Sequence, residues 1–569
     1  MRRPPLVVTF LTMLLLALGT TGGAAMSAFR LPIQRYATER ILAAREVHNL
    51  SGSRDYDIEV VNEIVFTVEA GLSFFHTHGE GLGVVLLFAS TAVSTLVARR
   101  WLRHALNTLI GLSFLFPIGY LAYSAFILLY GKDPGIALAE RLLLVPFGSS
   151  TIVGLAIAAG AAAFSLVNGR RERPAAAPPL PEGGVRPEAT AAPHDFDGWR
   201  RPPVIVVLAS ALLILLAEIG GASMGRWTSE INTLSKAWIL SASPAHGLVG
   251  VQDVDDEIIA AALVKLDGGL RLFHLHAEGM GLVIFAGALV IRTLVAAPGL
   301  RRVLSGLLTV GGFGFPFGYL LWSALIPPLG IDRARALAEA LLLIPFGSMA
   351  MGAMWMLSFV LARDLYRACT DFLGSRRKAS ARPDAEEASS GVLLPPVGLV
   401  LASMLLLVFA EVGGASMVKF KNPIERANRE RIEARADVHG LTGVRQVDGE
   451  TVDRALTRAD FALRLFHLHA EGMGLVIFAG GMMIRTFMAS PSFSAVLYVM
   501  LTIGGFVYPF GYLAWSLMIP VLGLDRSKDL AEYLVWIPFG GAALVAMGGI
   551  TLFLTLHVVR SRRLGRKVA

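Results

Sequence analysis

Apolar residues run along this chain in blocks of about twenty or more, separated by shorter polar segments, and a helix of about 20 residues crosses the ~30 Å hydrocarbon core of a bilayer. The first four blocks are Leu6 to Ala25, Phe75 to Val97, Leu106 to Leu129 and Ala139 to Val167. Four more follow at Val204 to Met224, Leu272 to Val295, Val303 to Pro327 and Leu337 to Leu361. The last four are Val397 to Met417, Leu465 to Met488, Val496 to Pro520 and Leu530 to Val558. The pattern predicts an all-α, polytopic membrane protein with about twelve transmembrane helices.

The blocks repeat in sequence as well as in pattern. RLFHLHAEGMGLVIFAG at Arg271 to Gly287 recurs unchanged at Arg464 to Gly480, and FFHTHGEGLG at Phe74 to Gly83 is a looser copy. GGAAM at Gly22 to Met26 matches GGASM at Gly220 to Met224 and Gly413 to Met417, with the same offsets of 198 and 193 residues that separate the His pairs. Residues 1–167, 204–363 and 397–569 are therefore read as three tandem four-helix repeats. The segments between them, 168–203 and 364–396, are rich in Ala, Pro, Glu and Ser and are expected to be disordered linkers. Four helices per copy return the chain to its starting side, so every copy has the same orientation. Three parallel bundles about a pseudo-threefold axis along the membrane normal are the expected assembly, and an inverted repeat is not.

Composition agrees with a membrane location. The chain has 569 residues, of which 54% are hydrophobic and only 17% charged, with a mean hydropathy of +0.60, too apolar for a soluble protein of this size. Its net charge of +8 comes largely from clusters at Arg2-Arg3, Arg99-Arg100-Arg103, Arg170-Arg171-Arg173, Arg301-Arg302, Arg376-Arg377-Lys378 and Arg560 to Lys567. All of these fall on one side if the helices alternate, which makes that side the cytoplasm and places both termini there. The expected location is the cell inner membrane, the lipid bilayer is the implied partner, and nucleic acid is not needed to explain the charge. Arg2-Arg3, the apolar stretch and the small residues before Phe29 look like a signal peptide. A retained first helix is the reading preferred here, because that segment occupies the slot of two internal helices. Cys369 is the single cysteine, which excludes disulfides, Cys-ligated clusters and covalently attached c-type haem.

The candidate chemistry gathers on the extracytoplasmic side, where the second helix of each copy is expected to carry His-x-His-x-Glu-Gly in its first turns. The motif residues are His76, His78 and Glu80, then His274, His276 and Glu278, then His467, His469 and Glu471. A further histidine, His48, His246 or His439, precedes each pair by 28 residues. Acids on the same side are Glu140, Glu339 and Glu532 at the start of the fourth helices, and Glu218 and Glu411 inside apolar runs of the first helices. A charge within the hydrocarbon costs at least ~2.5 kcal/mol, so the last two should face the bundle and have a partner. His274 and Glu278 share a helix face, whereas His274 and His276 lie about 200° apart. Either the helix starts irregularly, or the second His faces a neighbouring helix or repeat. The simplest single site combines the loop His, the first motif His, the motif Glu and a Glu from the first or fourth helix, a donor set that suits Zn, Fe, Mn or Cu.

A structural reading stands beside this one, in which the same polar groups cap backbone at the helix start and pin the loop with no ligand bound. Pro117, Pro316 and Pro509 in the third helices, and Pro146, Pro345 and Pro538 in the fourth, are expected to bend their helices. Tyr120, Tyr319 and Tyr512 would line any cavity that the bends open. The first copy departs from the others, with Thr20 in the place of Glu218 and Glu411 and Leu82 in the place of Met280 and Met473.

A His-x-His at the head of a membrane helix, followed by Gly and apolar residues, resembles a motif of membrane proteins distantly similar to haem-copper oxidase subunit I, over about one helix in four. The additional helix-borne histidines of a bis-His b-type haem are missing, since apart from the pairs only His104 and His557 lie near helix ends, both toward the basic side. Haem therefore ranks behind a simple metal ion. No phosphate-binding Gly-rich loop and no Ser/His/Asp order is present, so ATP use and hydrolase chemistry are not expected. The sequence thus predicts a membrane protein with repeated His/Glu metal sites and redox chemistry. A transporter of protons or divalent cations and a non-catalytic scaffold are the alternatives, and no redox or transport partner is indicated.

Overall fold

Each apolar block becomes a helix in the computed structural model, which describes residues 1–97, 99–169, 198–374, 391–488 and 490–563. Among the described residues the chain is all-helical, apart from isolated bridges between Arg2 and Gly198 and between Arg200 and Gly391. Twelve helices are long and apolar enough to cross a membrane. They are α1 (Leu6–Met26), α2 (Arg54–Leu96), α3 (Arg100–Tyr130), α4 (Lys132–Phe164), α5 (Val204–Met224) and α6 (Gln252–Leu294). The rest are α7 (Pro298–Leu329), α8 (Ile331–Arg367), α9 (Val397–Met417), α10 (Arg445–Phe487), α11 (Pro491–Leu522) and α12 (Leu524–Arg560). Large apolar side chains such as Val145, Phe164, Leu341, Phe359, Leu534 and Leu552 point outward from α4, α8 and α12. A row of that size on the outside suits lipid better than water.

The second helix of each group is far longer than its apolar run. α2, α6 and α10 have 43 residues apiece, about 65 Å at 1.5 Å per residue, and the apolar block fills only the later half. The His-x-His motif therefore sits mid-helix and not in the first turns. An amphipathic stretch such as Arg54 to Phe74 is too polar to register as a membrane segment, yet it extends the same helix outward by burying one stripe of Val61, Ile64 and Val68.

These three long helices meet one another, and below the motif their side chains are almost wholly buried. Phe88 lies 5.3 Å from Phe478 and 6.4 Å from Phe285, ring centroid to centroid. Around them, α1 packs on α2 and also on α8, α5 on α6 and α12, and α9 on α10 and α4. The Trp355 indole of α8 donates a hydrogen bond of 2.8 Å to Thr21 of α1. At the basic end the segments entering α1, α5 and α9 are joined through their backbones. The Met1 amino group donates to the Val392 carbonyl (2.8 Å), the Val392 amide to Trp199 (3.0 Å) and the Trp199 amide to Met1 (3.1 Å).

The prolines interrupt their helices as expected. In α3 the α-helix ends at Leu112 and resumes at Leu115. Pro117 has no N–H for the Ser113 carbonyl, which takes the Phe116 amide instead at 3.0 Å. In α4, α8 and α12 a π-helical turn begins at Glu140, Glu339 and Glu532 and runs up to, or across, the helix proline. The expected linkers mostly lie outside the described residues, at 170–197 and 375–390, and the helix containing α8 continues as far as Gly374.

Candidate metal centre

Two adjacent glycines near the outer end of α1, α5 and α9 let the motif approach. A methyl group at Gly22, Gly220 or Gly413 would press on Phe75, Phe273 or Phe466. One at Gly23, Gly221 or Gly414 would lie 2.6, 2.9 or 2.9 Å from the next residue, His76, His274 or His467. Real Cβ atoms do not come that close. The GGAAM and GGASM segments are thus the seats of the Phe-His pair on the neighbouring helix.

Seated in this way, each first histidine reaches a carbonyl of that neighbour. Nδ1 of His76 lies 2.9 Å from the Gly19 oxygen, that of His274 2.8 Å from Ala217, and that of His467 2.8 Å from Ala410. Gly19 is thirteen residues along from Leu6, so the motif sits about 20 Å from the basic end of the first helix. Each second histidine bonds within its own helix. Nδ1 of His78, His276 and His469 lies 2.9, 2.9 and 2.8 Å from the carbonyls of Phe74, Leu272 and Leu465. A carbonyl oxygen can only accept, so Nδ1 is the donor in all six rings, and in the corresponding neutral tautomer Nε2 carries the lone pair.

The second histidines point away from the first, as their two-residue spacing requires, and each meets the third helix of its own group. His78 stacks on Tyr120 at 4.9 Å, His276 on Tyr319 at 4.6 Å and His469 on Tyr512 at 4.4 Å. Their other neighbours are motif histidines from different groups. His76 faces His276 at 6.0 Å, His274 faces His469 at 5.9 Å, and His467 faces His78 at 6.2 Å, with interplanar angles of 26°, 27° and 29°.

The motif glutamates occupy the same level. The Glu80 carboxylate is 3.7 Å from Nδ1 of His76, and His76, Glu80 and His276 each offer a donor atom within 4.8 Å of the others. Glu278 reaches across to Gly472 in α10, and Glu471 to Gly81 in α2, where an added methyl would lie 2.6 Å from its Oε1. Glu218 is near enough to Glu278, and Glu411 to Glu471, for the carboxyl groups to interact electrostatically.

The remaining predicted residues lie elsewhere. His246 donates from Nε2 to the Pro327 carbonyl (2.8 Å), and His439 to that of Pro520 (3.2 Å). Pro327 is eight residues beyond Tyr319, about 12 Å along the helix, so these loop histidines fasten the loop to the end of the third helix and do not enter the motif cluster. His48 takes the matching place at Leu128. It is only 3% exposed, and neither ring nitrogen makes a hydrogen bond of good geometry. Burial holds its imidazole below the ordinary value, with the Leu128 carbonyl pulling weakly the other way. Glu339 pairs with Arg335 at 2.7 Å, and Glu140 and Glu532, like Glu339, open a π-helical turn in the fourth helix. These acids also stand apart from the paired histidines, although Glu140 and Glu339 act electrostatically on the tyrosines beneath.

One member of the site escaped the sequence reading. Tyr508 lies 5.7 Å from His469, edge to face, and its hydroxyl is 3.1 Å from that of Tyr512. Phe116 and Phe315 occupy the equivalent contacts with His78 and His276, and the change from FPIGY and FPFGY to YPFGY was the available signal. The chain matches no protein-family description, no curated protein and no solved structure, so the chemistry is argued from these residues alone.

Proposed function

We propose that the chain is a multi-pass inner-membrane protein of three tandem four-helix copies around a pseudo-threefold axis, with its basic ends in the cytoplasm, that binds transition-metal ions in the His/Glu cluster between copies. The closed set of contacts supports the arrangement: the first helix of each copy packs on the last helix of another, and α2, α6 and α10 form the centre. The observation that carries the metal reading is the common state of the six motif imidazoles. All have Nδ1 committed to a backbone carbonyl, the arrangement that orients a metal-binding His and leaves Nε2 as the ligand.

Two imidazoles and a carboxylate leave further coordination positions open, which suits Zn, Fe, Mn or Cu and, for the last three, electron transfer or binding of a small oxidant. Axial transport through the central helices is disfavoured, because below the motif their side chains are almost wholly buried around Phe88, Phe285 and Phe478. The test is metal content by mass spectrometry, with a visible spectrum, on detergent-purified protein and on the H76A/H274A/H467A variant. At least one equivalent of a transition metal in the parent, lost in a variant that keeps its helicity and elution volume, supports the proposal. A parent that is empty and cannot be loaded leaves the histidines as structural capping groups.

A further inference from the structure

The three junctions carry the same pair of histidines at nearly the same separation, but they are not the same site. At the junction of the first and second copies, Glu80 stays beside His76 and within reach of His276. Among the described residues, this is the one group of three or more His, Cys, Asp or Glu side chains close enough to share an ion. At the other two junctions, among the described residues, no such group of three forms, and the motif glutamate lies against a glycine of the next helix, Gly472 for Glu278 and Gly81 for Glu471.

The copies differ in the first helix as well. Copies two and three carry Glu218 and Glu411, and these acids interact with Glu278 and Glu471. An acid at this position thus gives the motif glutamate a second carboxyl group to interact with, which the first copy lacks. Copy one carries Thr20 instead, whose hydroxyl is satisfied within its own helix by the carbonyls of Leu16 (2.9 Å) and Ala17 (3.0 Å) and offers the motif nothing. Glu80 is thus free to face the histidines. The glycine that would receive it across the junction, Gly279, has no atom within 4 Å of the position a methyl group would take.

We infer that one junction, His76, Glu80 and His276, is the primary metal site, and that the protein binds a single tight divalent ion per chain with imidazole and carboxylate donors. This inference rests on the metal reading above and refines it. The two histidines come from different copies and the carboxylate is the third ligand, so the ion bridges the first and second copies. In the second and third copies, Glu218 and Glu411 pair with the motif glutamate and keep it out of a three-residue group with two histidines.

The experiment is a titration of the metal-free full-length protein with Co(II), followed by its visible ligand-field bands and by equilibrium dialysis. The parent should take up one tight equivalent, E80Q should lose it, and E218T, which gives the second copy the residue of the first, should raise the tight stoichiometry to two. T20E should weaken binding at least tenfold. Three equal equivalents in the parent, or an E80Q protein that binds as the parent does, would overturn the inference while leaving metal binding intact. No uptake by the parent would sink the metal reading itself. Should E80Q fail to fold, the gain in E218T decides, since an unchanged stoichiometry there is equally fatal.

Discussion

His274 of α6 and His469 of α10 lie with their rings 5.9 Å apart and 27° from parallel, although each is anchored by Nδ1 to a different backbone carbonyl. Neither ring is positioned by the other. Their separation is set by the helices that carry them, and His274 is seated on the neighbouring α5 by Gly221.

The first prediction concerns the matching glycine of α1. Gly23→Ala introduces a methyl 2.6 Å from the imidazole of His76, which forces the ring off its carbonyl without removing any ligand. Metal affinity should fall about tenfold or more, roughly 1.4 kcal/mol. Gly268→Ala in α6 meets nothing within 4 Å and should be neutral or stabilising, by up to about 1 kcal/mol through helix propensity. Dialysis against a coloured chelator measures both, and equal effects at Gly23 and Gly268 would contradict this seating.

Stability should depend on pH through His48. Its folded-state value is held below the ordinary imidazole value of about 6.5 by burial. In the window between the two values the unfolded chain binds the extra proton, so stability is complete above about pH 6.5 and declines as the pH falls through that window. Thermal unfolding of the parent across this range, compared with His48→Phe, should show a loss on acidification that the variant lacks. Parallel curves would place the acid sensitivity elsewhere.

The serines of the third helices should contribute stability where they tie it to the motif helix. The hydroxyls of Ser124, Ser323 and Ser516 donate to the carbonyls of Val68, Leu266 and Ala459 at 2.9, 3.1 and 2.7 Å. Each Ser→Ala change should cost about 0.6 to 2 kcal/mol, the range for interhelical hydrogen bonds in membranes. Denaturant unfolding in mixed micelles reads the loss, and a neutral Ser516→Ala would show that the shortest of the three adds nothing.

Orientation is directly testable, because Cys369 is the only cysteine. In a Cys369→Ser background, Val249→Cys lies in the exposed turn before α6, with the parent side chain 64% exposed. A membrane-impermeant maleimide should label it in intact cells. Labelling only after the cells are broken open would reverse the assignment of the basic ends to the cytoplasm.

How far the sequence could be read depended on how local each signal was. The apolar blocks specify helix number and approximate limits, because the bilayer imposes one length on all of them. Pro117 and its counterparts announce their breaks through a missing N–H, a property of a single residue. The depth of the motif was misjudged, since the outer half of α2 is helical through an amphipathic stripe of Val61, Ile64 and Val68 and not through an apolar run. The two-residue spacing of His274 and His276 showed that they could not share a site, but not which neighbour each would find. That answer lies in contacts between segments some 200 positions apart, as between His76 and His276. The loop histidines were misleading for a related reason: their constant spacing reflects a constant distance to the end of the third helix, where His246 meets Pro327.

The backbone triangle of Met1, Trp199 and Val392 bears on how the chain is made. α1 emerges first, yet one of its packing partners is α8, and α4 packs on α9, so the first four helices leave the ribosome with two faces unmatched. Lipid or an insertion factor has to cover those faces until α8 and α9 arrive. Every histidine pair likewise waits for a residue synthesised much later. Termination soon after Val392 would close the triangle and complete the His76, Glu80 and His276 group, yet leave α5 without its partner α12.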